Sequence, residues 1–155
     1  MAKTLVAYFS AGGTTARAAK ALAQAAGADL YEIRPARTYT PADLDWMDRK
    51  SRSSVEMNDE NARPAIAGRV ENMDEYDTVF VGFPVWWYTA PRIVNTFLES
   101  YDFTGKTMIP FATSGGSGVE KSAGDLKTRY PALNWKKGKL LGGRVTADTL
   151  RGWID

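Results

Sequence analysis

Thr4 to Phe9 is an unbroken run of apolar and β-favouring residues. It passes through Ser10-Ala11-Gly12-Gly13-Thr14-Thr15 into a segment with Ala16, Ala19, Leu22, Ala23 and Ala26 at three- and four-residue spacings. A strand that is apolar on both faces belongs in the middle of a parallel sheet, and a helix directly after it belongs to a crossover. Gly27 stands where such a helix ends. This one unit excludes all-α and antiparallel all-β architectures.

The unit recurs along the chain. Leu30 to Ile33 reads as a short second strand, and Thr78 to Phe83 as a third, followed from Pro91 by an amphipathic segment carrying Ile93, Val94, Phe97 and Leu98. Thr107 to Ala112 makes a fourth strand. A glycine-rich turn leads from it to a helix through Leu126 and Tyr130, and Ser117 and Glu120 have capping-box spacing at its start. A fifth strand is expected between Ala132 and Leu141, interrupted by Lys136-Lys137-Gly138, and a last helix over Thr146 to Ile154. Strands alternating with helices predict an α/β fold, a doubly wound five-stranded parallel sheet with right-handed crossovers. At 155 residues one domain spanning 1–155 is expected. Residues 34–76 are too long for an ordinary connection and read as a functional excursion, within which Thr40-Pro41-Ala42-Asp43 is predicted to start a helix carrying Leu44, Trp46 and Met47.

The absence of cysteine and histidine narrows the chemistry. Thiol nucleophiles, disulfides, Cys/His zinc sites and histidine acid-base catalysis are excluded, so a cofactor with its own reactivity is the favoured source of any catalysis. No apolar run is long enough to span a bilayer and no signal peptide is evident, so no membrane partner and a cytoplasmic location are expected. Residues 106–155 hold nine basic and four acidic side chains, against eleven and fourteen in 1–105. The cluster Lys136, Lys137, Lys139 lacks interleaved aromatics, so it reads as a solvated face and no nucleic-acid partner is expected.

In an open parallel sheet ligands bind beyond the carboxyl ends of the strands, which puts the loops after strands one, three and four on one rim. After strand one, Gly12 and Gly13 permit a tight turn, while Ser10, Thr14 and Thr15 bring hydroxyls to a helix N-terminus that favours a dianion. The loop has neither the Gly-Lys-Ser/Thr ending of a P-loop nor the spaced glycines of the dinucleotide fingerprint. After strand three, Pro84-Val85-Trp86-Trp87-Tyr88-Thr89-Ala90-Pro91 places three large aromatics at the rim, where a planar ligand could stack. After strand four, Thr113-Ser114-Gly115-Gly116-Ser117-Gly118 lets a backbone approach a flat ligand. Each loop alone has an ordinary structural explanation, in capping or packing. Together they form a phosphate cradle, a stacking surface and an edge.

With these loops the sequence resembles the flavodoxin family, in particular flavodoxin-like proteins with Pro-x-Trp-Trp and Thr-Ser-Gly-Gly-Ser-Gly loops, over nearly the whole chain. The resemblance implies the strand order 2-1-3-4-5 and the cofactor flavin mononucleotide (FMN). Ser10, Ala11, Gly12, Gly13, Thr14 and Thr15 would hold its phosphate. Pro84, Val85, Trp86, Trp87, Tyr88 and Thr89, with Thr113, Ser114, Gly115, Gly116, Ser117 and Gly118, would surround its ring. The first loop has Gly12 and Thr14 where the family's Thr-Gly-Asn-Thr places Thr and Asn, so one hydroxyl donor is lost. A pI near 8.8 contrasts with the acidic surface of electron-shuttling flavodoxins, which weakens steering to a basic reductase.

The resemblance nonetheless makes an FMN-dependent redox protein, transferring electrons through a non-covalent flavin to a redox partner protein, the leading expectation. An oxidoreductase passing electrons from NAD(P)H to a small quinone-type acceptor is the alternative, with Trp46, Arg49, Arg52 and Arg63 of the excursion placed to form a lid or meet an anionic substrate. A flavin-free interaction module is a remote third. A phosphorelay receiver shares the architecture but needs acids where this chain has Phe9-Ser10 and Phe83-Pro84.

Overall fold

The structure is a computed structural model in which residues 3–87, 89–113, 118–141 and 145–154 are described, with only the backbone of 152–154. Its sheet contains β1 (Thr4–Tyr8), β2 (Asp29–Glu32), β5 (Thr78–Pro84), β6 (Thr107–Thr113), β7 (Asn134–Trp135) and β8 (Lys139–Leu140). The order is β2-β1-β5-β6-β7, with β8 also against β6, and every pairing is parallel. With β7 and β8 as one interrupted strand, this is the expected 2-1-3-4-5 order.

Alternation along the strands divides the core between two faces. Leu5, Ala7, Val79, Val81 and Phe83 pack under α3 (Arg92–Glu99) and α4 (Glu120–Arg129), through Ile93, Val94, Phe97 and Leu126. Val6, Tyr8, Phe80 and Phe111 pack on the other face against α1 (Thr14–Ala26) and α5 (Ala147–Ile154), through Ala18, Leu22 and Leu150. The alanines of α1 let that helix lie close to the sheet. Gly82 pairs with Phe111 across the ladder, and a Cβ on it would stand 2.1 Å from that ring. The phenyl group therefore fills the space that a side chain at 82 would need.

The break in the edge strand has a cause in β6. Met108 and Ala112 carbonyls accept from Lys136 N and Leu141 N at 2.8 and 2.7 Å, but Pro110 between them has no N–H to offer that edge. The register moves from Met108↔Trp135 to Phe111↔Lys139, so Lys136, Lys137 and Gly138 face only Ile109 and Pro110, as in a bulge. Gly138 is required there, because a Cβ would lie 2.8 Å from the Pro110 carbonyl oxygen.

Helix α1 runs over the expected residues and ends at Gly27, whose φ of 62° is left-handed. One expectation fails. Residues 41–47 form turns rather than a helix. Thr40 and Asp43 do close a reciprocal box, Thr40 N to Asp43 Oδ2 at 3.0 Å and Asp43 N to Thr40 Oγ1 at 3.1 Å. Beyond it Asp45 and Asp48 accept from the N–H groups of Met47 and Lys50, competing with helical bonds. Trp46 and Met47 are 70% and 76% exposed, so no core rewards a helix here. The excursion instead contains α2 (Arg52–Met57), capped by Ser51, and a short antiparallel pair, β3 (Arg34–Pro35) with β4 (Ile66–Ala67). Helix α4 starts at Glu120 behind the buried Val119, and its expected capping box rests on Ser117. Ser117 lies outside the described residues.

Candidate functional site

The loop 10–15 is held by its own first residue. Ser10 Oγ accepts from Gly13 N at 3.1 Å and Ala16 N at 3.2 Å, folding the chain around the start of α1. Gly13 caps the helix at φ 93°, a conformation only glycine takes without strain. Ala11 and Gly12 are exposed. The N–H groups of Gly12, Thr14 and Thr15 have no acceptor among the described residues, so the helix presents open donors together with its positive dipole end.

The two threonines differ. Thr14 is exposed, whereas Thr15 is buried and its hydroxyl meets that of Thr113 at 2.7 Å. Thr15 thus ties the first loop to the end of β6 instead of offering a free hydroxyl. Arg17, absent from the sequence expectations, reaches back over the loop: its Nη2 lies 3.5 Å from Thr14 Oγ1 and its Nη1 3.6 Å from the Cβ position of Gly13. Helical side chains lean toward the N-terminus, so a basic residue one turn inside such a helix was the available signal. A cation at this end opposes the dipole, and no acidic residue occupies the first turn of α1.

The second loop is a tight turn. Pro84 pairs with Thr113, and Val85 N donates to the Thr113 carbonyl at 2.9 Å. Trp86 and Thr89 then exchange both backbone bonds, at 2.9 and 3.0 Å, leaving Trp87 at the tip. Trp87 has φ 50°, the one positive value outside glycine among the described residues, and is 38% exposed. A bulky side chain there is strained and has to be held from both sides.

On one side Trp86 packs edge-on against Phe9 and Tyr39, with centroids 5.6 and 5.5 Å away. Trp86 is therefore committed to packing. On the other side Thr89 Oγ1 donates to Asp125 Oδ2 at 2.7 Å, and Lys121 Nζ meets the same carboxylate at 2.9 Å. Tyr88 lies outside the described residues, as do Ser114, Gly115, Gly116 and Ser117 of the third loop. Of that loop's ends, Thr113 is buried and Gly118 exposed, with the Glu120 carboxylate 2.3 Å from where a Cβ on Gly118 would sit.

The excursion reaches this rim through Tyr39. Its hydroxyl donates to Glu56, and the Arg52 guanidinium lies 3.8 Å over its ring while donating Nε to Glu56 at 2.9 Å and Nη1 to the Arg37 carbonyl at 2.6 Å. Burial, then the bond to Glu56, pushes the Tyr39 hydroxyl far above its ordinary value, so it stays protonated. Arg63 grips both oxygens of Glu99 on α3, at 3.0 and 3.1 Å. Arg52 and Arg63 are thus structural clamps, while Trp46 and Arg49 remain exposed.

The family model for flavodoxins matches residues 3–155. The chain belongs to the flavodoxin family. A crystal structure of a protein assigned as a flavoprotein from Bacteroides eggerthii is 58% identical, with a TM-score of 0.97 over 100% of this chain and 97% of that one. A flavoprotein in complex with FMN from Lactobacillus acidophilus superposes at a TM-score of 0.77 with 19% identity, covering 100% of both chains. Oxidised Flavodoxin 2 from Bacillus cereus gives 0.57 with 15% identity over 98% of this chain and 94% of that one, a likeness of fold. Among curated proteins none matches. Among the described residues this flavodoxin has no helix long and apolar enough to cross a membrane and no cluster of metal-ligating side chains.

Proposed function

We propose that this flavodoxin binds FMN without a covalent bond and works as a redox protein. The observation that carries the reading is the row of open donors at the start of α1, the N–H groups of Gly12, Thr14 and Thr15, with the Arg17 guanidinium over them. Such a set suits a phosphate monoester, with Ser10, Ala11 and Gly13 shaping the turn. Trp87 is the exposed, strained aromatic of Pro84 to Thr89 and would stack on the ring, while Thr113 to Gly118 would line its edge. FMN supplies the redox chemistry when bound, so the absence of histidine and cysteine is no obstacle. The neighbour from Lactobacillus acidophilus, in complex with FMN, supports the same choice.

Comparing FMN with riboflavin by quenching of flavin fluorescence tests this. FMN should bind about 100-fold or more tightly than riboflavin, because the phosphate carries the open-donor contacts. Equal binding, or none, overturns it.

The family's common role is electron transfer to a protein partner. A second reading, an FMN-dependent NAD(P)H oxidoreductase with a small acceptor, is favoured by the basic pI of 8.8, which does not suit docking on a basic reductase, and by a cleft beside Trp87. NADPH oxidation by the FMN-loaded protein, with and without a quinone, separates the two: acceptor-dependent turnover selects the enzyme and its absence the carrier. Neither reading calls for a membrane or nucleic-acid partner.

A further inference from the structure

Beside the rim, the end of α2, the turn after β5, α3 and α4 enclose a cleft of about 450 Å³. That volume suits a small organic molecule. Of the described residues expected to hold FMN, Trp87 and Thr89 line it. Its apolar lining comes from Met57 of α2, Trp87 and Ala90 of the connection from β5 to α3, and Leu126 of α4.

Its charged lining is unbalanced. Arg92, Lys121 and Arg129 face Glu60 and Asp125, an excess of one positive charge. Asp125 is already satisfied by Thr89 and Lys121. Arg92 is fixed from behind: Nε and Nη2 donate to the carbonyls of Glu56 and Met57, at 3.4 and 2.9 Å, where a cation also complements the end of α2. No acceptor for its Nη1 exists among the described residues. A guanidinium held in place with unused donors, in a part-apolar cleft bordered by a tryptophan, is a pre-organised anion site.

We propose that this cleft binds a small aromatic anion, a carboxylate or sulfonate on a planar apolar body, with Arg92 taking the anionic head and Trp87 flanking the ring. A cation would meet the excess positive charge. A neutral ring would leave the Arg92 donors unused. The site is distinct from the donors of the loop 10–15 and, among the described residues, shares only Trp87 and Thr89 with those proposed for FMN, so the proposal rests on the cleft around Arg92 rather than on the flavin.

The test is calorimetric titration of the protein, FMN-free and FMN-saturated, with 2-naphthoate and with 2-naphthalenemethanol. Naphthoate should bind about ten-fold or more tightly than the alcohol in both forms. Thr128 lies on the exposed face of α4 and lines the cleft. Thr128→Glu should weaken naphthoate binding about ten-fold while leaving the alcohol and the melting temperature within error. Arg92→Lys, which keeps the charge but loses the fork, should remove the preference for naphthoate. Equal binding of the two probes, displacement of naphthoate by FMN, or indifference to Thr128→Glu would overturn the proposal. Failure of FMN itself to bind defeats the flavin reading alone, since the FMN-free titration still decides this one.

Discussion

In the loop 10–15 the N–H groups of Gly12, Thr14 and Thr15 lack acceptors among the described residues, and the Arg17 side chain that reaches over the loop is a cation at the wrong end of a helix dipole. In the turn 86–89 both backbone pairs are closed, Trp86 is wedged against Phe9 and Tyr39, and Thr89 is bonded to Asp125. The first loop is left electrostatically incomplete, as a site is when an anion completes it. The second is finished by the protein, because an aromatic surface is useful only if it is held rigid before the ligand arrives. On the proposed reading, the first loop would supply affinity and the second orientation.

Removing the packing that holds the second loop should have the largest effect. Tyr39→Ala deletes a buried ring shared by Phe9, Trp86 and Arg52, and should cost about 3 kcal/mol in urea unfolding whether or not FMN is present. A cost under about 1 kcal/mol would mean that the excursion does not support the rim.

Trp87→Asn should act with opposite signs on stability and binding. The left-handed backbone accommodates asparagine, so FMN-free protein should gain about 1 kcal/mol, while FMN affinity falls about ten-fold through loss of a stacking partner. Unchanged affinity would show that Trp87 is not the stacking ring.

Arg17→Ala should give a smaller split of the same form. Stability without FMN should rise by about 0.5 kcal/mol as an unfavourable dipole contact is removed, and FMN binding should weaken and lose salt dependence. Loss of stability without loss of affinity would make Arg17 a structural residue.

The smallest effect concerns the tie between the excursion and α3. The bond from Arg63 first, and that from Tyr130 next, hold the Glu99 carboxyl below its ordinary value near 4.5. A depressed folded value means that this stabilisation is present above that ordinary value and is lost as pH falls through the lower one. Glu99→Gln should therefore flatten the decline of the urea midpoint below about pH 4.5 and weaken the fold slightly at neutral pH. A decline of undiminished slope would assign acid sensitivity to other carboxylates.

Much of this architecture was legible in the chain because it rests on local signals. The run Thr4 to Phe9, the Gly27 stop and the interruption at Lys136-Lys137-Gly138 each reflect a period or a residue with restricted geometry. Thr40-Pro41-Ala42-Asp43 reads as the start of a helix and does close a capping-type box, but such a box reports the first turn only. Whether a helix continues depends on a core to receive its apolar face, and Trp46 and Met47 have none.

At the site the division follows the same physics. Residue types determined the three-loop rim and the glycine at 13, because a parallel sheet sends those loops to one edge and only glycine takes that φ freely. Tertiary structure alone decided that Thr15 would bond Thr113, 98 positions away, that Trp86 would be packed half-buried against the core and Trp87 left exposed, and that Tyr39 of the excursion would brace Trp86. Two adjacent tryptophans carry the same propensities in a sequence. They are told apart only by what stands across from each one in the folded chain.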